Sequence, residues 1–106
     1  MNIVRRDEVL EDLISLSYYI AQTDEQVANR FLDAVAESFE RLAQMPLIGV
    51  ERTFQNPRLT GIRMWFVQGF ERHLIFYRVL DDEVEILRVL HAARDIEGIF
   101  DDEQNQ

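Results

Sequence analysis

The sequence predicts a small α+β protein in which a helical hairpin packs on one face of a mostly antiparallel sheet. A change of period along the chain supports this prediction. Apolar residues recur every three to four positions in the first half, whereas short runs rich in β-branched and aromatic residues fill the second half. The helices must bury their apolar stripes, and one face of a sheet offers the surface, so we expect two layers. The predicted order is β-α-α-β-β-β with a short C-terminal helix.

Two helices are predicted in the first half. Residues 7–22 have the period of an amphipathic helix, with Asp7 as its N-cap. Thr23 and Gln26 match the Thr-x-x-Gln form of a capping box, which begins a second helix that Pro46 ends. Because few residues separate the two helices, they must fold back on each other as an antiparallel hairpin. The predicted buried stripe of the second helix is Val27, Phe31, Leu32, Val35, Phe39 and Leu42.

Three strands are predicted in the second half, at residues 62–67, 73–80 and 83–91. Asp81 and Asp82 form the turn between the last two strands, and this turn fixes their register. The expected opposite residues are Arg78 with Glu85, Tyr77 with Ile86, and Ile75 with Arg88. The first of these pairs brings opposite charges together, which favours the register.

The remaining segments complete a single domain. Residues 68–72 are predicted to form a hairpin loop, residues 1–5 an edge strand beside the three-stranded meander, and residues 93–100 a last short helix. We assign residues 1–100 to one domain and expect residues 101–106 to be an acidic, flexible tail.

Length and composition exclude several classes of protein. A chain of 106 residues builds one core, and 47% hydrophobic residues with only six Gly or Pro is typical of a folded domain. The absence of cysteine excludes disulfides, thiolate catalysis and Cys-based metal sites. No stretch approaches the ~20 apolar residues that span a bilayer, and no apolar signal region follows Arg5 and Arg6. We therefore expect a soluble protein of the cytoplasm.

Charge is unevenly distributed along the chain. Twenty acidic against 11 basic residues give a net charge of -9, which disfavours strong direct binding to nucleic acid. Residues 1–46 carry -5 and residues 81–106 carry -7, whereas residues 47–80 carry +3. Every basic residue is arginine, which suits fixed hydrogen-bonded pairs. Compositional drift explains the absence of lysine equally well.

Several segments carry a resemblance to a known family. Residues 45–49 are MPLIG after the second helix, and residues 61–63 are GIR at the start of a strand. The strongest segments are HLIFYRV at residues 73–79 and VLHAARD at residues 89–95. In this order and spacing the chain resembles the ParE/RelE toxin superfamily of type II toxin–antitoxin systems, and within it the ParE-like, plasmid-stabilisation branch.

The resemblance implies a toxin that a cognate antitoxin neutralises in a hetero-oligomer. ParE-like toxins are understood to poison DNA gyrase by binding it, whereas RelE-like toxins cut messenger RNA on the ribosome with basic residues and a C-terminal aromatic or histidine. Arg94 falls at one RelE arginine position, but the C-terminal tyrosine position falls on Phe100, whose ring has no ionisable proton. We therefore favour gyrase inhibition by binding, with no catalytic residue.

Two alternatives stay open beside this prediction. One is a RelE-like ribosome-dependent endonuclease that uses Arg63, His91 and Arg94. The other is a non-toxic scaffold of the same fold that only binds the antitoxin. The residues that bind the antitoxin are not identified by the sequence.

Four residues are candidates for contact with the target: Arg63, Trp65, His91 and Arg94. An arginine fork can hold a carboxylate or a phosphate with two hydrogen bonds, and a large exposed aromatic is typical of interfaces. Structural alternatives accompany each one, since arginines form cross-strand ion pairs, Trp65 can be packing, and His91 can hydrogen-bond at its strand end.

Metal and cofactor chemistry is not expected. His73 and His91 can lie close together, but a zinc centre needs three or four ligands. The sequence has no Gly-rich phosphate loop, Ser-His-Asp arrangement or HExxH pattern, so nothing in it requires a cofactor.

Overall fold

The elements of the structure follow the change of period in the sequence. The computed structural model describes residues 1–104, and the α+β class is confirmed. Its elements are β1 (Asn2–Arg5), α1 (Asp7–Ala21), α2 (Glu25–Gln44), β2 (Val50–Glu51), β3 (Arg63–Val67), β4 (Phe70–Val79), β5 (Glu83–His91) and α3 (Ile96–Gln104), with a 3-10 turn at Pro57–Leu59. In residues 1–104 no helix has both the length and the apolar character needed to cross a membrane.

Both helix starts differ by one residue from the prediction. Asp7 lies in the first turn of α1, and the N-cap is Arg6, which makes no side-chain capping hydrogen bond. The cap of α2 is Asp24 rather than Thr23, because its carboxylate accepts from the backbone amides of Gln26 (2.9 Å) and Val27 (3.3 Å). A carboxylate at this position satisfies two free amides and also favours the positive end of the helix dipole.

One face of α2 fills the space between the hairpin and the sheet. Its buried residues are Ala28, Phe31, Val35, Ser38, Phe39 and Leu42. Leu32 was predicted in this stripe, but it is exposed. It lies at the groove between the two helices, beside Ile14 and Tyr18 of α1, because it sits at the border of the apolar face.

The sheet has five strands in the order β1-β5-β4-β3-β2. The edge position of β1 confirms the prediction, and β1 pairs in parallel with β5 as far as Ile86. The other neighbours are antiparallel. The opposite edge strand, β2, was not predicted, because two residues are too few to show a strand period.

The register of the last hairpin is confirmed only near its turn. Arg78 faces Glu85 and Tyr77 faces Ile86, as predicted, but Ile75 faces Val89. A bulge beside Tyr77 adds one residue to β5 and shifts the pairing beyond it. The preceding hairpin is tighter than predicted, because Gly69 adopts a positive φ of 80° and β4 begins directly after it.

Apolar side chains cover both faces of the sheet. The cluster on the helix side contains Val9, Phe31, Val35, Phe39, Leu42, Val67, Ile75, Tyr77, Val84, Ile86 and Val89. The cluster on the other side contains Leu59, Ile62, Phe76, Leu87, Leu90, Ile96 and Phe100, which α3 and the 3-10 turn contribute in part. The helical hairpin therefore forms the expected layer, and a smaller layer covers the second face.

The C-terminal helix differs from its prediction. It begins at Ile96 and continues to Gln104, where a helix ending at residue 100 and a flexible tail were expected. The side chain of Asp101 accepts from Asn56 Nδ2 at 2.9 Å, and Glu103 contacts Arg88, so two acidic residues of the expected tail hold the helix in place. Residues 105–106 of that tail lie outside the described residues.

Replacing Phe31 with alanine should open the core on the helix side. Phe31 is fully buried, and its ring centroid lies 5.3 Å from that of Phe70 and 4.9 Å from that of His73. We expect Phe31→Ala to lower the free energy of unfolding by about 3–5 kcal/mol in urea titrations. The neighbouring exposed change Leu32→Ala is the control and should cost about 1 kcal/mol or less. Equal losses in the two variants would contradict this core assignment.

Candidate functional site

A pocket of about 610 Å³ lies between α1, the start of β4 and the end of β5. We call it the α1–β5 pocket. Its polar lining includes Asp12, His73, Arg88, His91 and Arg94, and its apolar lining comes mainly from Leu16, Ile20 and Val89. The structure therefore brings two of the four predicted contact residues, His91 and Arg94, to one place.

A bidentate ion pair between Arg88 and Asp12 forms the floor of the pocket. Arg88 Nε donates to Asp12 Oδ2 and Nη2 donates to Oδ1, both at 2.7 Å. Asp12 Oδ2 also accepts from the Val89 amide at 3.1 Å, and Arg88 Nη1 donates to Glu103. The hydrogen bonds to Asp12 raise the pKa of the Arg88 guanidinium above its ordinary value. Two carboxylates compensate this cation, so it is not free to hold a ligand.

A second arginine, Arg6, extends the network. Its Nε lies 3.7 Å from Glu85 Oε2, and its Nη1 lies 3.9 Å from Glu103 Oε2. The ion pair expected between Arg78 and Glu85 is replaced by this contact, although the two residues face each other in the sheet. Arg78 Nη2 donates instead to the backbone oxygen of Arg58 at 2.9 Å. A correct register therefore does not fix which side chains pair.

The two histidines stack across neighbouring strands. The ring centroids of His73 and His91 are 5.1 Å apart, with the rings nearly perpendicular. Burial lowers the pKa of His73 below its ordinary value, and the charge of His91 adds to this effect. His91 Nδ1 accepts from the Ala93 amide at 3.0 Å, so in neutral His91 the proton lies on Nε2. No group of three or more potential metal ligands occurs within residues 1–104.

Arg94 is the uncompensated cation of the pocket. It is exposed, and its backbone amide donates to the His91 oxygen at 3.0 Å, which fixes the start of its side chain. The ion pairs formed among residues 1–104 use only Arg6 and Arg88 as cations. Arg94 and the Nε2 proton of His91 can therefore donate to an anionic group of a ligand.

The other two predicted contact residues lie away from this pocket. Arg63 Nη1 donates to the backbone oxygen of Gly49 at 2.7 Å. Trp65 is half-buried, packs against the cluster on the helix side and stacks on Phe66 with centroids 4.4 Å apart. Both side chains thus have structural contacts, and target contact by either one stays a prediction.

The central role of Asp12 and Arg88 is not predicted from the sequence. A signal was present, because Asp12 falls on the same helical face as Val9 and Leu16, where a charge is unexpected. Arg88 likewise interrupts the apolar run around Leu87 and Val89. A charged residue inside an apolar pattern favours a buried ion pair, but the sequence does not show that these two residues meet.

The fold and the pocket define a small α+β protein with an exposed arginine and a histidine that can donate to an anionic group. The family model for the ParE toxin of the type II toxin–antitoxin system parDE matches residues 3–96. The chain therefore belongs to the ParE toxin family, as its resemblance implied.

A solved structure supports the same fold. The chromosomal ParDE toxin–antitoxin system from P. aeruginosa contains a chain with a TM-score of 0.68 and 21% identity. The match covers 86% of this protein and 95% of that chain. No curated protein sequence gives a significant match.

Removing Asp12 should be far more damaging than removing a carboxylate that is less deeply buried. Asp12→Ala leaves the largely buried Arg88 without its bidentate partner, and we expect a loss of about 3–5 kcal/mol in the free energy of unfolding. The control Glu85→Ala removes a longer, more exposed contact and should cost at most about 1 kcal/mol.

The double variant Asp12→Ala, Arg88→Met belongs in the same urea titrations. It removes both charges, so it should be more stable than Asp12→Ala alone. If Asp12→Ala is no less stable than Glu85→Ala, the pair does not hold the fold together.

Proposed function

We propose that this member of the ParE toxin family inhibits DNA gyrase by binding it, and that a cognate antitoxin neutralises it in the cytoplasm. The observation that carries binding over catalysis is the position of Phe100. Its ring is buried between those of Phe54 and Phe76, at centroid distances of 6.0 and 5.5 Å. A phenyl ring cannot transfer a proton, and this one is also closed off from a substrate.

The α1–β5 pocket is the proposed contact for an anionic group of gyrase. Arg94 offers a fork of hydrogen-bond donors, His91 adds the Nε2 proton, and the exposed ring of Tyr19 lies at the same pocket. A carboxylate held by the guanidinium would be recognised with two parallel hydrogen bonds. Losing one such contact typically costs ~1.5–3 kcal/mol, which is roughly ten- to a hundredfold in affinity.

The Arg94→Ala variant tests this contact. We expect its inhibition of gyrase supercoiling to be roughly ten- to a hundredfold weaker than that of the parent, because the free cation is lost. The control is Arg30→Ala, which removes an exposed arginine from α2 and should inhibit like the parent. Circular dichroism must show both variants folded. Full inhibition by folded Arg94→Ala would exclude this contact.

Cleavage of messenger RNA is the second candidate function. It is favoured by the two imidazoles of His73 and His91 beside Arg94, since acid–base groups and a phosphate-binding cation are what RNA cleavage requires. Primer extension on translated messages after induction distinguishes the two functions. Cuts inside ribosomal A-site codons that disappear in His91→Ala would favour the nuclease. Antitoxin binding without gyrase inhibition or cutting would favour the non-toxic scaffold.

An exposed apolar stripe on α1 supports the antitoxin proposal. Leu10, Ile14 and Tyr18 recur at four-residue steps, and each is at least 60% exposed. Ile14 and Tyr18 of this α1 stripe line a groove between the two helices, together with Leu32. Solvent-facing side chains of this size in one row are typical of a surface that a partner covers. An amphipathic helix with apolar anchors and basic flanks would complement the stripe and the acidic helices.

Charging the α1 stripe should abolish the antitoxin complex. We expect Leu10→Asp, Ile14→Asp to elute separately from the protein of the adjacent reading frame in size-exclusion chromatography, whereas the parent co-elutes with it. The control is Leu47→Asp, which changes an equally exposed leucine outside the helices. Co-elution of the stripe variant would place the antitoxin elsewhere, and separate elution of the parent at micromolar concentration would contradict the complex itself.

A further inference from the structure

The turn between α2 and β2, together with the first residue of β2, presents three apolar side chains to solvent. Met45, Leu47 and Val50 are 50% to 66% exposed, and together we call them the turn surface. Ile48 between them packs against the core on the helix side, and its amide donates to the Met45 oxygen at 3.1 Å. The turn therefore has an anchored side and an apolar outer side.

Buried Tyr77 fixes the backbone of this turn. Its hydroxyl donates to the Pro46 oxygen at 2.8 Å and accepts from the Gly49 amide at 2.9 Å. Burial raises the pKa of the Tyr77 hydroxyl above its ordinary value, so it keeps the proton that it donates. A side chain at Gly49 would bring a Cβ within 2.7 Å of Tyr77 Cε1, so glycine is required for this close approach.

Arg63 adds a third hydrogen bond to the same turn, through its contact with the Gly49 oxygen. The three bonds connect the turn to residues 14 to 31 positions away, so its conformation is set by the folded sheet. A preformed apolar surface loses little conformational entropy when a partner covers it. The three hydrogen bonds hold the turn against the sheet without any help from the exposed side chains. The structural role of the turn therefore does not explain why its outer side chains are apolar.

The charge of the chain segment that contains the turn surface indicates the chemistry of its partner. Residues 41–63 carry +3 in a chain of -9, from Arg41, Arg52, Arg58 and Arg63 against Glu51. None of these arginines is the cation of an ion pair among residues 1–104. An acidic segment would be attracted here, whereas a two-fold dimer through this turn would bring two positive segments together.

We propose that the turn surface is a docking site for an acidic segment of the toxin's target that carries an apolar anchor. The proposal rests on inhibition by binding and adds a second contact to the α1–β5 pocket. It gives Arg63 the role of a positioning residue, which holds Gly49 and thereby orients Leu47 and Val50. The antitoxin uses the separate α1 stripe.

Leu47→Asp and the stripe variant Leu10→Asp, Ile14→Asp should have opposite effects. We expect Leu47→Asp to weaken inhibition of gyrase supercoiling roughly tenfold or more, since it repels an acidic partner and removes an apolar contact. Its antitoxin complex should stay intact. The stripe variant should inhibit gyrase like the parent. Val50→Asp repeats the test at a second exposed position if Leu47→Asp does not fold.

Arg63 distinguishes positioning from direct contact. Arg63→Ala should weaken inhibition, and Arg63→Lys should restore most of it, because a lysine can still donate one hydrogen bond to Gly49 but cannot form a bidentate fork. Loss of inhibition in Arg63→Lys as complete as in Arg63→Ala would overturn the positioning role.

Three results separate the possible failures. Parent-like inhibition by folded Leu47→Asp overturns the docking site and leaves the proposed function standing. A parent that elutes as a dimer which Leu47→Asp dissociates would make a second copy the occupant, against the proposal. If the parent does not inhibit gyrase, the gyrase proposal fails; the docking site then stands only if Leu47→Asp relieves growth arrest in cells.

Discussion

The Arg88 side chain connects three elements of the structure, one of which lies far away in sequence. It donates to Asp12 of α1 and to Glu103 of α3 from its position on β5, and Asp12 lies 76 residues away in sequence. The same carboxylate accepts the Val89 amide just beyond the point where β1 stops pairing with β5. Asp12 thus accepts a hydrogen bond from a backbone amide of β5 that a longer β1 would otherwise pair with. The packing of α1 against this edge, and with it the α1–β5 pocket, depends on that buried pair.

Compensation of Arg88 decides what the pocket can do. Two carboxylates surround this guanidinium, and burial favours the neutral form of His73, so Arg94 supplies the free positive charge. One free fork with a neighbouring imidazole donor suits recognition of a single carboxylate or phosphate. That is a modest electrostatic contact. A protein of net charge -9 can make such a contact more readily than it can bind the phosphate backbone of nucleic acid over a long stretch.

The two exposed apolar surfaces have different local charge. The α1 stripe lies on an acidic helix, whereas the turn surface lies in the segment that carries +3. Partners of opposite charge would therefore be directed to different parts of the molecule. This separation would let the two proposed partners bind at different surfaces.

Sequence alone was enough to predict the helical hairpin, the three-stranded meander, the edge position of β1 and the family, because these depend on local period and on contiguous motifs. It also placed His91 and Arg94 in one motif. The packing of the folded chain decided that Asp24 caps α2, that a bulge beside Tyr77 shifts the last hairpin, and that a second apolar layer covers the sheet. It likewise decided that Asp12 pairs with Arg88 and that Arg63 holds Gly49. Such pairs depend on which distant elements pack together and on which donors and acceptors then lie within hydrogen-bond distance. The spacing of residues along the chain determines neither of these.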